Sequence, residues 1–195
     1  MKDEKFLIFK IDDKDIALDL SEVNIIEHYI KPVIVESESK TLIGYIKARG
    51  NTLPLFSLRK KFDLDESEAN EETKLLTIQY EEFTVAFKVD SVDEIIDARL
   101  YEVYDAPSVL INEENRYLKG IIHKEGRILL LFHHDMLLTD KEKEEGIKVL
   151  KKLQEEEKKE QIKDQQKDQQ KEKVIQQKKE QKKGTKKENK TKGKK

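Results

Sequence analysis

Arg49 lies in the stretch Leu42-Ile-Gly-Tyr-Ile-Lys-Ala-Arg49-Gly50-Asn-Thr-Leu-Pro-Leu-Phe-Ser-Leu-Arg59, where an apolar strand meets an Arg-Gly turn and a second apolar strand follows. A guanidinium on a hairpin turn presents a planar fork for bidentate pairing with a partner's carboxylate, and arginine is favoured at interface hot spots. An internal reading is open beside it, in which Arg49 pairs with an acidic residue of its own chain such as Asp90. Arg59 belongs to the short basic segment Leu58-Arg-Lys-Lys-Phe62 that closes the unit. Nothing in the stretch has the pattern of a nucleophile, a general base or a phosphate loop.

The remaining reactive residue types form no convincing centre. His133-His134-Asp135 offers two imidazoles and a carboxylate, but adjacent strand residues point to opposite faces, and helical zinc pairs need i, i+4 spacing. The carboxylates of Asp63-Leu-Asp-Glu-Ser-Glu-Ala-Asn-Glu-Glu72 lack the spacing and central glycine of a calcium loop and read as a solvated linker. No metal site or cofactor is expected. The absence of cysteine removes disulfides, thiolate zinc sites and cysteine nucleophiles. GxSxG, Walker, GxGxxG and HExxH patterns are absent, so a non-enzymatic binding module is the better reading.

The elements that carry these residues are short runs of period two. Strands are expected over 6–11, 16–20, 24–29, 32–35, 42–48, 52–58, 75–80, 83–89, 117–123 and 127–132. Gly50 and Asn51 tolerate positive φ and suit the tight turn after Ala48. Pro54 cannot donate to a ladder, which places its strand at an edge or a bulge. Glu81-Glu82 joins two strands as a turn, and Lys124-Glu125-Gly126 joins the last pair. Many short strands at close spacing argue for an all-β barrel or sandwich.

Taken in order, these segments resemble the CheW family of bacterial chemotaxis coupling proteins. The resemblance rests on Phe6-Leu-Ile-Phe9 with Asp12-Asp13-Lys14-Asp15 and Ile16-Ala-Leu-Asp-Leu20, on the Arg49-Gly50 hairpin, and on Val89-Asp90-Ser-Val92-Asp-Glu-Ile95. Tyr117-Leu-Lys-Gly120, Gly126-Arg-Ile-Leu-Leu-Leu-Phe132 and Asp135-Met-Leu-Leu138 complete it as a final hairpin and closing helix. It implies two small five-stranded SH3-like barrels packed through an apolar interface. One domain over 1–140 would hold a first barrel at about 15–65, a second at 66–138 and an N-terminal strand crossing between them, with the acidic loop joining the barrels.

The resemblance also implies a non-enzymatic adaptor that couples chemoreceptor cytoplasmic tips to the regulatory domain of a CheA-type histidine kinase. Further copies of the coupler in receptor arrays would be partners too. A scaffold of another sensory kinase system is the alternative. By resemblance Arg49 and Gly50 sit in the region that couples receptor and kinase, and Arg59 and Asp90 are expected with them. Val23, Ile25, Ile26 and the strand around Ile46 supply either an apolar groove for a receptor helix or core filling, with Glu27 beside them. The chain departs from the family at several places. Ser57 stands where Asp is common before Leu-Arg, Ser91 replaces a Gly, Glu27 replaces a basic residue, and Glu36-Ser-Glu-Ser-Lys40 replaces a Pro-rich segment.

Composition divides the chain in two. From Lys141 onward there are 21 lysines against 12 acidic residues, net +9, which leaves 18 basic and 29 acidic residues, net −11, in 1–140. A body of that size can bury a core without staples. Ile147, Leu150 and Leu153 give one amphipathic patch that can extend a terminal helix, whereas Gln154–Gln181 reads as partial helix and Lys182–Lys195 as disordered. The tail's lysines suit salt-sensitive attraction to any polyanion, but the lack of arginine and aromatics in its last 14 residues argues against specific nucleic-acid readout. No secretory leader pattern or 20-residue apolar span is present, so the expected location is the cytoplasm, with membrane contact only through receptors.

Overall fold

The computed structural model describes residues 5–80, 83–107, 111–112 and 115–155. The turn expected at Glu81-Glu82 and all but the first two residues of the stretches read as partial helix and disorder lie outside these residues. The chain divides into two compact units, Met1–Leu150 and Lys151–Lys195.

Among the described residues twelve strands form two six-stranded antiparallel-rich sheets. In chain order they are β1 (Lys5–Ile11), β2 (Lys14–Asp19), β3 (Val23–His28), β4 (Val33–Ile34), β5 (Leu42–Ala48), β6 (Asn51–Ser57), β7 (Lys74–Gln79), β8 (Thr84–Val89), β9 (Ser91–Asp97), β10 (Glu102–Asp105), β11 (Leu118–Lys124) and β12 (Arg127–Phe132). A one-turn helix, α1 (Leu58–Lys61), follows β6, and a second helix, α2, covers 140–155. The first sheet runs β10-β11-β12-β2-β1-β9 and the second β3-β7-β8-β6-β5-β4.

This partition corrects the expected break near residue 65. β7 and β8 join β3 to β6, while the N-terminal hairpin β1–β2 pairs with the C-terminal strands. The N-terminal strand therefore lies inside the first sheet, between β2 and β9, and does not cross between barrels. Each sheet has one strand more than the five expected, the short edge strands β10 and β4. The acidic loop consequently connects two strands of one sheet.

Strands with continuous apolar sequence are buried on both faces. Alternate residues of β1 separate, Phe6 and Ile8 into a core within the first sheet, Leu7, Phe9 and Ile11 into a large core that also contains Phe56, Leu76, Ile78 and Phe87 from the second. That shared core is the apolar seam between the sheets, and Ile46, Leu53, Leu55, Leu75 and Ala86 form a third core behind the second sheet. Period two thus sends the two faces of each such strand into two different cores.

The two halves repeat one another with a circular shift. β7–β8 relates to β3–β6 as β1–β2 relates to β9–β12, and each hairpin joins the other strands through one parallel pair, β6 with β8 and β12 with β2. With the registers matched, 44–56 overlays 120–132 and six positions are identical: Gly44/Gly120, Ile46/Ile122, Gly50/Gly126, Leu53/Leu129, Leu55/Leu131 and Phe56/Phe132. Both hairpins turn on two residues of positive φ, Arg49 (49°) with Gly50 (80°) and Glu125 (51°) with Gly126 (81°), the two-residue turn that matches strand twist. Asn51, expected to share the turn, is the first residue of β6.

Pro54 is not in an edge strand. β6 lies between β5 and β8, but its pairing with β8 begins at Leu55, so the missing N–H falls where that ladder has not started.

The body continues past residue 140. Thr139 and Glu142 form a capping box: the Thr139 amide donates to Glu142 Oε2 at 2.7 Å, and the Glu142 amide donates to Thr139 Oγ1 at 3.2 Å. Beyond it Ile147, Val149 and Leu150 pack on the shared core, with Gly146 against Phe56 and Phe83. The expected amphipathic patch is this contact, and it extends the first unit by about one helix of ten residues.

Candidate partner-docking surface

The Arg49 turn projects from the end of the β5–β6 hairpin. Its positive-φ pair points the Arg49 side chain outward, 64% exposed, and Nε donates to Glu27 Oε1 on β3. A Cβ built on Gly50 would meet nothing within 4 Å, so the turn is open to solvent. The internal partner suggested for Arg49, Asp90, is engaged elsewhere; Glu27 takes its place.

β3 is the edge strand beside that turn, paired on one side with β7. A register shift between Val23 and Ile25 and an alternating burial pattern put Val23 against the shared core and leave Ile26 39% exposed. Arg49, Gly50 and Glu27 therefore form one open surface, while Ile26, the neighbour of Glu27 on β3, points to the opposite face of the strand, the side of its cross-strand partner Leu76. Ile46 does not belong to that surface. It is 1% exposed within the second-sheet core, because the β5 face it shares with Gly44 points inward.

Arg59 and Asp90 also turn inward. Arg59 is 16% exposed on its side chain and donates from Nη1 to Asp90 and from Nη2 to Asp12 Oδ1 at 2.9 Å. Its Nε donates to the Asp65 carbonyl at 2.7 Å. Asp90 Oδ2 additionally accepts the Asp12 amide at 2.6 Å. Asp12 lies in the β1–β2 turn of the first sheet and Arg59 on α1 after β6 of the second, so this network ties the sheets together. It commits all three guanidinium nitrogens of Arg59 and the Oδ2 oxygen of Asp90 to contacts within the chain.

Ser57, the departure from the family's Asp, caps α1 by accepting the Lys60 amide at 3.1 Å and donates its hydroxyl to Glu66. Glu66 also accepts from Lys88 Nζ at 2.8 Å, and Lys88 donates to the Ser67 carbonyl at 2.7 Å. Burial pushes the Glu66 carboxyl up, but the Lys88 and Ser57 hydrogen bonds outweigh it and hold the group below the usual range. The acidic loop is a strap over β8, fixed at Asp65, Glu66 and Ser67.

His134 contacts Glu22 Oε2 through Nδ1 at 2.6 Å, and its carbonyl accepts the Tyr80 hydroxyl at 2.6 Å. Burial, with His134 opposing it, holds the Glu22 carboxyl above its ordinary value.

Sequence reasoning missed most of the exposed apolar side chains. Val33 and Ile34 on β4 are 53% and 69% exposed, Ile95 on β9 54%, and Leu100 74%. Tyr104 and Ile128 add to the open face of the first sheet, and Val103 is exposed on the other side of the edge strand β10. β9 and β10 escaped notice because Asp93, Glu94, Asp97, Glu102 and Asp105 break the apolar pattern that marks a buried strand.

Comparison with known proteins agrees with this architecture. Residues 5–142 match the CheW-like domain family. The chemotaxis protein CheW of Bacillus subtilis is 30% identical over 139 residues, covering 71% of this chain and 88% of that protein. The chemotaxis protein CheW of Helicobacter pylori is 27% identical over 137 residues, covering 69% and 81%. The crystal structure of the scaffolding protein TtCheW from Thermoanaerobacter tengcongensis shares the fold, with a TM-score of 0.60 at 18% identity over 71% of this chain and 94% of that one. With its two-sheet body, its Arg-Gly hairpin and this extent of similarity, the chain belongs to the CheW-like domain family.

Proposed function

We propose that the protein is a chemotaxis scaffold that couples the cytoplasmic tips of chemoreceptors to the regulatory domain of a CheA-type histidine kinase, without catalysis of its own. The observation that carries this reading is the open surface of Arg49, Gly50 and Glu27, where the β5–β6 hairpin meets the edge strand β3. An exposed guanidinium on a hairpin turn suits a partner surface that presents a carboxylate. Val23 contributes as support under Ile26's strand, and Arg59 and Asp90 as the clamp that fixes the hairpin's base.

Among the described residues no helix is long and apolar enough to cross a membrane, in keeping with attachment to receptor arrays at the cytoplasmic face through protein contacts. Further coupler copies would join through the open strands of the two halves.

The test is calorimetric titration of the full chain with the CheA regulatory domain and with a receptor tip from the same organism. Binding at about micromolar Kd is expected, with a loss of about tenfold or more for Arg49→Glu. Absence of binding to both partners would overturn the coupler reading.

A further inference from the structure

A cavity of about 920 Å³ lies away from the Arg49 surface, where the two halves of the repeat meet. Its walls come from the segments before β5 (Lys40, Thr41) and before β11 (Arg116, Tyr117), and from those after β6 (Lys60 to Asp63) and after β12 (Thr139 to Glu142). The floor is aromatic. Phe62, Tyr117 and Phe132 lie 4.9 to 5.7 Å apart between ring centroids, tilted or edge-on.

The rim runs against the charge of the body that holds it. Residues 1–140 carry net −11, yet the described lining residues include five basic side chains and three acidic ones. Lys61 is committed to Glu142 at 2.6 Å and Lys14 to Asp13 at 2.8 Å. Among the described residues Lys40, Lys60 and Arg116 have no carboxylate within ion-pair distance. Three cations without an ion-pair partner among the described residues, over an aromatic floor in a cavity of ligand-binding size, match a molecule with an apolar body and one anionic end.

We propose that this cavity binds a small amphipathic carboxylate, its aromatic or aliphatic body on Phe62, Tyr117 and Phe132 and its carboxylate among Lys40, Lys60 and Arg116. Such a ligand would sit on the seam between the halves and stiffen their mutual packing. The site shares no residue with the Arg49 surface, so it stands or falls independently of the coupler reading.

The experiment is an amide-shift titration of the full chain with 1-naphthaleneacetate, and with 1-naphthaleneethanol as the neutral isostere. Shifts concentrated at 60–63, 115–118 and 139–142 are expected, saturating at about millimolar concentration or below, with the alcohol about tenfold weaker. The exposed double variant Lys40→Gln/Lys60→Gln should weaken binding by about fivefold or more at an unchanged thermal midpoint, and Lys31→Gln should leave it unaltered. Absence of shifts, equal binding of acid and alcohol, or undiminished binding by the folded double variant would overturn the proposal.

Discussion

Arg59 and Asp90 form an ion pair across the seam between the two sheets, and Asp12 completes it from the opposite hairpin. The pair explains why two arginines ten residues apart have unlike roles. Arg59 is held at three acceptors and mostly shielded, whereas Arg49 leans on one carboxylate with most of its side chain in water.

Removing Arg59 leaves Asp90 and Asp12 facing each other without the guanidinium that bridges them. Arg59→Ala is therefore expected to cost about 2–3 kcal/mol, while Arg49→Ala changes stability by no more than about 0.5 kcal/mol. Denaturant unfolding of the two variants checks the contrast, and equal losses would sink it.

Glu142 sets a pH dependence of known sign. Burial pushes its carboxyl up, but hydrogen bonds from Lys61, Thr41 and Thr139 outweigh burial and hold it below the ordinary 4.5. A folded-state value below the unfolded one contributes stability that is present above pH 4.5 and is lost as pH falls through the folded value. Glu142→Gln should thus be less stable than wild type at pH 7 and should converge towards it as acid unfolding is followed below pH 4.5. Parallel stability curves across that window would refute the assignment.

Ten of the twelve strands were legible from period two and turn residues, because strands buried on both faces carry dense apolar sequence. Which strands share a sheet was not. Phe6–Ile11 and Leu75–Tyr80 read alike, and only the parallel pairings of β2 with β12 and of β8 with β6 show that the chain's first hairpin belongs with its last. The site divided in the same way. Arg49 and Gly50 were legible as a turn, but the partners of Arg59 and Asp90 are 47 and 78 residues distant from them in sequence, beyond any local pattern. Ile46 was ambiguous for a simple reason: an apolar residue in a strand reads the same whether it faces a core or a groove.

Gly44 and Gly120 are equivalent close approaches. A Cβ on Gly44 would press into the Val33 carbonyl and one on Gly120 into the Tyr104 carbonyl, so either alanine must push its short edge strand, β4 or β10, off its neighbour. Gly44→Ala and Gly120→Ala are each expected to cost about 1–3 kcal/mol and to speed amide exchange at the β4–β5 or β10–β11 ladder respectively. Gly50→Ala meets only the positive-φ penalty, about 1 kcal/mol, with no loss of edge-strand protection. Hydrogen exchange on the three variants separates the two causes.

The Arg49–Glu27 pair permits a test that distinguishes an internal role from a partner contact. If the guanidinium serves only to brace β3 against the hairpin, then Arg49→Glu with Glu27→Arg restores the pair in reverse and restores everything the single variant lost. If Arg49 meets a partner's carboxylate, the reversed pair puts a guanidinium on the β3 strand and a carboxylate on the turn, where it opposes that partner. The coupler reading requires the second outcome: stability within about 0.5 kcal/mol of wild type in the double variant, with kinase-domain affinity still about tenfold or more down. Recovery of affinity together with stability would reduce Arg49 to a brace, and the docking surface would then have to be sought around Ile26 alone.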